Sequence, residues 1–409
     1  MQRHEKRSSK SKKLEVVLIS ISLFLLALVI VAGVVVGGAQ QFSLLAKAFL
    51  HGQLNFMHPI GGKGYDPIIF KGKIYWGEGP FPAILLMPFV AVASLFHTFF
   101  YQGYLECALI AGIIFFIYSL AKNLKFSLRD RIILILAYTL GSVFIGVASF
   151  SSSWLFAQIL TTFLLFWALY EFYVRKRIHW WVLGIICGIL FLTRVTASPI
   201  IIFFFLYLWL DDASQSKRLK YLQLLLPIAI AVCLTGLYNY LRFGSALNGG
   251  YAYQVLFPAS AESRALGIFS PVHIPSNLYY LILGSPSAVA KTTTSWTIKF
   301  PFIQNNNNGL SIFITSPYLL YLFTNKWSAF KSKDRYLLVS AIVSCIFVLS
   351  YYGIGRNQYG ARYSLDFLPE LFMLFMIMYK KRNAVLSRGM KLLILGSGYF
   401  NFYLLNTLM

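Results

Sequence analysis

The chain has 409 residues, 58% of them hydrophobic and only 12% charged, with a mean hydropathy of +0.67 and a formal charge of +23. Such apolar content excludes an ordinary soluble domain. The positive charge does not mark a nucleic-acid binder, because the basic residues flank apolar runs and form no stripe or aromatic-interleaved patch.

Of the 36 Lys and Arg residues, 25 fall in six clusters: 3–13, 122–131, 175–177, 217–220, 326–335 and 380–391. This is the charge pattern of a polytopic membrane protein whose basic loops share the cytoplasmic side. Residues 1–13 read as a basic cytoplasmic tail, and 14–409 as a single transmembrane domain. The first apolar run, 14–37, is too long for a signal-peptide core and reads as an uncleaved first span.

An outer loop, 38–100, follows. Its stretch AQQFSLLAKAFLHGQL (39–54) carries apolar residues at helical spacing, which predicts an amphipathic helix at the membrane surface. The run 80–100 either crosses the membrane or rests on its outer face. Pro80, Pro82, Pro88 and His97 favour an interfacial segment, and parity decides for it, because a crossing would move every later basic cluster outside. The remaining predicted spans are 103–121, 132–149, 155–173, two within 180–210 around an outer hairpin at 193–198, 221–239, 311–324, 336–352, 364–379 and 392–409. The expected fold is therefore all-α and polytopic, with about eleven transmembrane helices, the N-terminus inside, and interfacial helices in the first outer loop. The second long outer segment, 240–310, carries turn signals, aromatics and one polar run, Asn305–Asn308, read as a flexible turn. Cys107, Cys187, Cys233 and Cys345 lie inside apolar runs with no CxxC pair and read as packing residues.

Few acids remain outside: Asp66, Glu78 and Glu262, with Glu106, Asp366 and Glu370 at outer helix starts. Asp211 and Asp212 resemble a metal pair, but parity puts them in a solvated cytoplasmic loop. The outer bases are Lys47, Lys63, Lys71, Lys73, Arg194, Arg242, Arg264, Lys291, Lys299, Arg356 and Arg362. Arg194 sits near the outer headgroup level, where it either snorkels or meets an anion such as a lipid phosphate. In GRNQYGARYSLDFLPEL (355–371), Arg362 and Asp366 stand four apart. They either cap a helix entry as a pair or leave an arginine to face an anionic ligand.

Five blocks carry a resemblance: LAKAFLHGQLNF (45–56), YDPIIFKGKIYWGEGPFPAILLMPF (65–89), GILFLTRVTASP (188–199), NYLRFGSALNGGY (239–251) and GRNQYGARYSLDFLPEL (355–371). In order and spacing they resemble the GT-C superfamily of membrane glycosyltransferases, in particular its protein-mannosyltransferase and aminoarabinose-transferase branch. The resemblance implies transfer of a sugar from a polyprenyl-phosphate donor to a lipid, glycan or protein acceptor at the outer face of the cytoplasmic membrane. It also implies a first-loop acid, matching Asp66, that serves as base or binds the acceptor. The family's acidic motif is often a close pair. Here the second acid is Glu78, twelve positions on, so dependence on a divalent cation stays open. Relatives often carry a C-terminal outer domain, and here acceptor recognition is expected from the membrane-facing loops.

The chemistry points to the same residue types. Displacing a polyprenyl phosphate needs a base for the acceptor, typically worth ~10²–10⁴-fold, and cations to oppose the charge developing on the leaving phosphate. Asp66 is the first choice of base and Glu78 the second. For Asp66 the competing reading is an Asp-Pro turn, with Pro67 biasing it toward an extended backbone. Lys71, Lys73, Arg194, Arg356 and Arg362 are the phosphate-binding candidates. Tyr65, Tyr75 and Trp76 either stack on sugars or belong to an interfacial aromatic belt. The alternatives are a lipid-linked sugar or small-molecule transporter or flippase, a polysaccharide polymerase or ligase, and an inactive assembly subunit.

Overall fold

Residues 2–35, 37–58, 66–292, 296–353, 355 and 358–408 are described by a computed structural model. Helix α1 (Gln2–Val35) is continuous, so the basic stretch 3–13 is wound into the first helix. Then come α2 (Gln41–Leu50), a hairpin of β1 (Ile68–Phe70) and β2 (Lys73–Tyr75), and α3 (Phe81–Leu95). The hairpin turns at Lys71 and Gly72 with φ of 48° and 74°, the double positive φ of a tight two-residue turn. Helix α2 forms where amphipathicity predicted it, but its apolar face meets protein. Phe42, Leu45 and Ala48 are buried, and Phe42 packs edge-on to Trp76 at 5.9 Å.

Helices α4 (Gln102–Asn123), α5 (Leu128–Thr139), α6 (Phe144–Ala148), α7 (Ser153–Tyr173), α8 (Trp180–Thr193), α9 (Ile200–Leu206) and α10 (Lys217–Phe243) follow. The run 132–149 breaks in two around Ser142, whose hydroxyl donates to the Tyr138 carbonyl at 2.5 Å and accepts from the Phe144 N–H at 3.1 Å, serving backbone on both sides of the break. Between α8 and α9 lies the expected turn: Arg194 is extended and Val195–Ala197 form a 3₁₀ turn. Helix α8 lies close along α10 through Gly184 and Gly188, where a Cβ would meet the carbonyl oxygens of Gln223 at 2.5 Å and Pro227 at 3.0 Å.

The second long segment is ordered, with α11 (Pro258–Ala265), α12 (Ile274–Ile282) and a hairpin of β3 (Ser287–Ala290) and β4 (Ile298–Gln304). Two small antiparallel hairpins therefore correct the all-α expectation. The expected span 311–324 is α13 (Ile312–Thr315) followed by a 3₁₀ stretch, Pro317–Thr324. Pro317 supplies no N–H and drives Ser316 out of the helical region. Helices α14 (Ser332–Ser350), α15 (Leu368–Arg382) and α16 (Arg388–Leu405) complete the chain.

Among the described residues, four helices are long and apolar enough to cross a membrane by length and composition: Lys13–Val35, Gln102–Asn123, Ser153–Tyr173 and Lys217–Phe243. The basic loops gather at one end of the bundle. There Lys391 bridges Glu15 and Asp130, each at 3.1 Å, Lys381 pairs with Asp334, Lys220 pairs with Asp212, and Asn123 bonds the Tyr173 carbonyl. The opposite end carries the long segments. Segment 38–101 starts and finishes there: the Gln102 N–H donates to Gln40 Oε1 at 2.9 Å, and Gly37 bridges to Ser151.

Candidate active site

Asp66 follows residues outside the described set and opens the β1–β2 hairpin. Its φ of +45° is left-handed, so the extended backbone expected ahead of Pro67 is not what forms. The second long segment holds it there. Gln254 Nε2 donates to the Asp66 carbonyl at 3.0 Å, the Val255 N–H donates to the Pro67 carbonyl at 2.8 Å, and Arg264 clamps Gln254 through its side-chain and main-chain oxygens at 2.9 and 3.2 Å. Burial raises the Asp66 carboxyl above its ordinary value, against the pull of Arg362 and Arg264.

Glu78 ends the same segment. It is tied down from below by Arg242, a buried α10 residue that donates to the Trp76 carbonyl at 2.9 Å and stacks on Tyr238. It is also pressed close to the end of α8, because Gly79 rests on the Leu192 carbonyl, where a Cβ would stand 2.0 Å away. Glu78 Oε2 is buried without a hydrogen-bond partner. Burial pushes the carboxyl up to about 7, with Arg194 and Arg362 lowering it and Asp366 and Asp66 raising it.

Arg194 caps α8 and forms a two-pronged pair with Asp366, Nε to Oδ1 at 2.8 Å and Nη2 to Oδ2 at 2.9 Å, while the Thr196 hydroxyl also donates to Asp366. This removes one alternative of each local reading, the Arg362–Asp366 pair and the unpaired, snorkelling Arg194. Asp366 is bonded to Arg194, 172 residues away, and not to Arg362, and Arg194 does not snorkel free. Arg362 instead donates from Nε to Gln358 Oε1 at 2.9 Å, and among the described residues it has no carboxylate within ion-pair distance. The Asn305–Asn308 run, expected as a flexible turn, is a clasp for that segment: Asn305 Nδ2 donates to the Gln358 carbonyl at 2.9 Å, and Gln358 Nε2 donates to the Asn308 carbonyl at 3.0 Å.

Tyrosines surround these charges. Arg194 and Arg362 lie 5.3 and 5.0 Å from the Tyr363 ring centre, and Arg264 lies 5.9 Å from that of Tyr352. Burial pushes the Tyr251 phenol up to about 12, so it remains a hydrogen-bond donor at neutral pH. Sequence reasoning counted Arg264 among the outer bases without giving it a role, and passed over Gln254 and these tyrosines, since aromatic and basic residues beside apolar runs have a generic explanation.

Of the expected site residues, Asp66, Glu78, Arg194 and Arg362 come together with Asp366 and Arg264. Lys71 and Lys73 do not join them. Both are exposed on the β1–β2 hairpin, Lys71 over its neighbour Phe70 at 5.4 Å. Arg356, Lys63 and Tyr65 lie outside the described residues. Tyr75 and Trp76 are buried among Phe243, Phe42 and Trp154 and present no face to a sugar. Asp211 and Asp212 bond Tyr336 and Lys220 at the basic end. Glu106 is buried against Ser151, and Glu370 against Ser340. Among the described residues no three or more His, Cys, Asp or Glu side chains are grouped to hold a metal, and both Asp366 oxygens are already engaged. This donor set does not fit a resident divalent cation.

No family model matches the chain, and no curated protein matches it. Two solved structures overlay on it. One is ArnT from Cupriavidus metallidurans bound to undecaprenyl phosphate, at 13% identity and a TM-score of 0.48 over 91% of this chain and 60% of that one. The other is the Archaeoglobus fulgidus oligosaccharyltransferase in the apo form, at 14% identity and a TM-score of 0.47 over 96% of this chain and 55% of that one. The chain thus spans less than two thirds of the length of either structure it is similar to.

Proposed function

We propose that this protein is a membrane glycosyltransferase that moves a sugar from a polyprenyl-phosphate donor to an acceptor at the outer face of the cytoplasmic membrane. The carrying observation is the pairing pattern at the end opposite the basic loops. Among the described residues Asp66 and Glu78 lack ion-pair partners, as do Arg362, whose charge reaches both acids, and Arg264, whose charge reaches Asp66. Unspent opposite charges held close together suit a substrate that brings both a proton to lose and a phosphate to bind.

In this reading the acceptor hydroxyl gives its proton to a carboxylate, its oxygen bonds to the anomeric carbon, and the bond from that carbon to the phosphate oxygen breaks. The electron pair leaves on polyprenyl phosphate, opposed by Arg362. Attack and departure on opposite faces invert the anomeric centre. Glu78, poised near neutrality, suits proton removal, and Asp66, nearer the open side, suits orientation of the acceptor. The Arg194–Asp366 pair fixes the wall against which Glu78 stands. Eleven spans with the N-terminus inside and the site outside fit this arrangement, because the basic clusters gather at one end and the unpaired acids at the other.

The test offers purified protein a panel of polyprenyl-phosphate sugars, with mass spectrometry of products. Turnover that is lost in Asp66→Asn and Glu78→Gln supports the reading. The transporter reading draws on Glu370, a fully buried acid whose Oε1 has no partner. Binding of the panel with no transfer or hydrolysis of any member would favour it.

A further inference from the structure

The hairpin of β3 and β4 is uncovered along Ile298, Phe300 and Phe302, while Ile303 packs back against the core. Ile298, Phe300 and Phe302 are 48%, 76% and 49% exposed, and Trp296 beside it is fully exposed. A lone two-stranded hairpin is marginal in water and needs a surface to lie on. Nothing in the described chain supplies one to these aromatics. The hairpin is nevertheless rooted at a defined depth. Tyr403, in the last turn of α16, donates to the Pro301 carbonyl, and the Asn305 N–H donates to Thr407 Oγ1 at 2.8 Å. The end of an apolar helix therefore sets the level of β4.

Charge selects the occupant. The stretch from Ala265 to Lys333 contains no Asp or Glu, and the hairpin bears Lys291 and Lys299 among its aromatics. Aromatic rings with lysines beside the end of α16, where the expected span 392–409 finishes, match an anionic headgroup layer, in which rings sit among glycerol and upper acyl groups and ammonium groups meet phosphates.

We propose that the β3–β4 hairpin is a membrane-lying flap whose exposed aromatic residues rest in the outer leaflet's headgroup layer, with Lys291 and Lys299 contacting anionic lipid. The inference does not depend on sugar transfer. In the full chain with its four native cysteines replaced, a bimane probe on Phe300→Cys is read in vesicles of phosphatidylcholine with phosphatidylglycerol, with and without bromine high on the acyl chains. The expected result is blue-shifted emission that bromine quenches. The quenching should weaken when Lys291 and Lys299 are both changed to Gln or when phosphatidylglycerol is omitted. Phe302→Cys repeats the measurement if the first variant misfolds. Water-like emission insensitive to bromine would overturn the proposal, as would emission that follows protein density in the vesicle, which would mean a second copy covers the hairpin.

Discussion

Replacing Glu78 by glutamine keeps the shape of the side chain and removes its charge. In the fold its carboxyl rises from an ordinary 4.5 to about 7, chiefly through burial. In the unfolded chain the acid ionises near its ordinary value. Between these two values the folded protein holds a proton the unfolded chain has released, and above the higher one it must carry a charge where charge is disfavoured. The acid therefore costs nothing below about pH 4.5. Its cost grows as pH rises through about 7 and levels off at roughly 3 kcal/mol beyond that. Thermal unfolding in detergent, run on wild type and Glu78→Gln from about pH 5 to about pH 9, should show near-equal midpoints at the acidic end. At the alkaline end the variant should unfold several degrees higher. The same variant should lose transfer by ~10²–10⁴-fold if Glu78 takes the acceptor proton. A midpoint difference that does not change with pH would refute the argument, because it would mean Glu78 ionises as freely in the fold as outside it.

Gly79→Ala should cost ~1–3 kcal/mol and reduce transfer at least about tenfold, since the new methyl meets backbone that cannot swing aside and must separate Glu78 from the end of α8. Thermal midpoint and rate together check it, and an unchanged pair would mean that Gly79 does not set the contact. Asp366→Leu leaves the Arg194 guanidinium buried and unpaired and should destabilise by ~3–5 kcal/mol, while Arg194→Met combined with Asp366→Leu should recover most of that. A double variant as unstable as the two single losses added together would show that the pair is not a closed unit. With the native cysteines removed, Ile69→Cys should react with an impermeant thiol reagent from outside intact cells and Lys125→Cys should not. Reaction of both from one side would break the proposed topology.

The sequence alone determined what one-dimensional patterns can carry. Apolar runs located the helices, the basic clusters marked one end of the bundle, and the turn at 193–198 was legible because Arg194, Thr196 and Pro199 interrupt an apolar stretch. Scarcity of outer acids singled out Asp66 and Glu78. Tertiary structure decided who partners whom. Spacing of four pointed Asp366 at Arg362, yet the end of α8 delivers Arg194 to it across 172 residues and leaves Arg362 to Gln358. An Asn run that reads as a loose turn becomes a clasp once Gln358 arrives to fill its hydrogen bonds. Tyr75 and Trp76, open in sequence to either a sugar or a lipid interface, are spent on packing against Phe243 and Phe42. Local patterns report which face of an element is apolar. The partner of a buried charge is set by which distant element the fold packs against it with matching donors, because burial makes an unmatched charge too costly to keep.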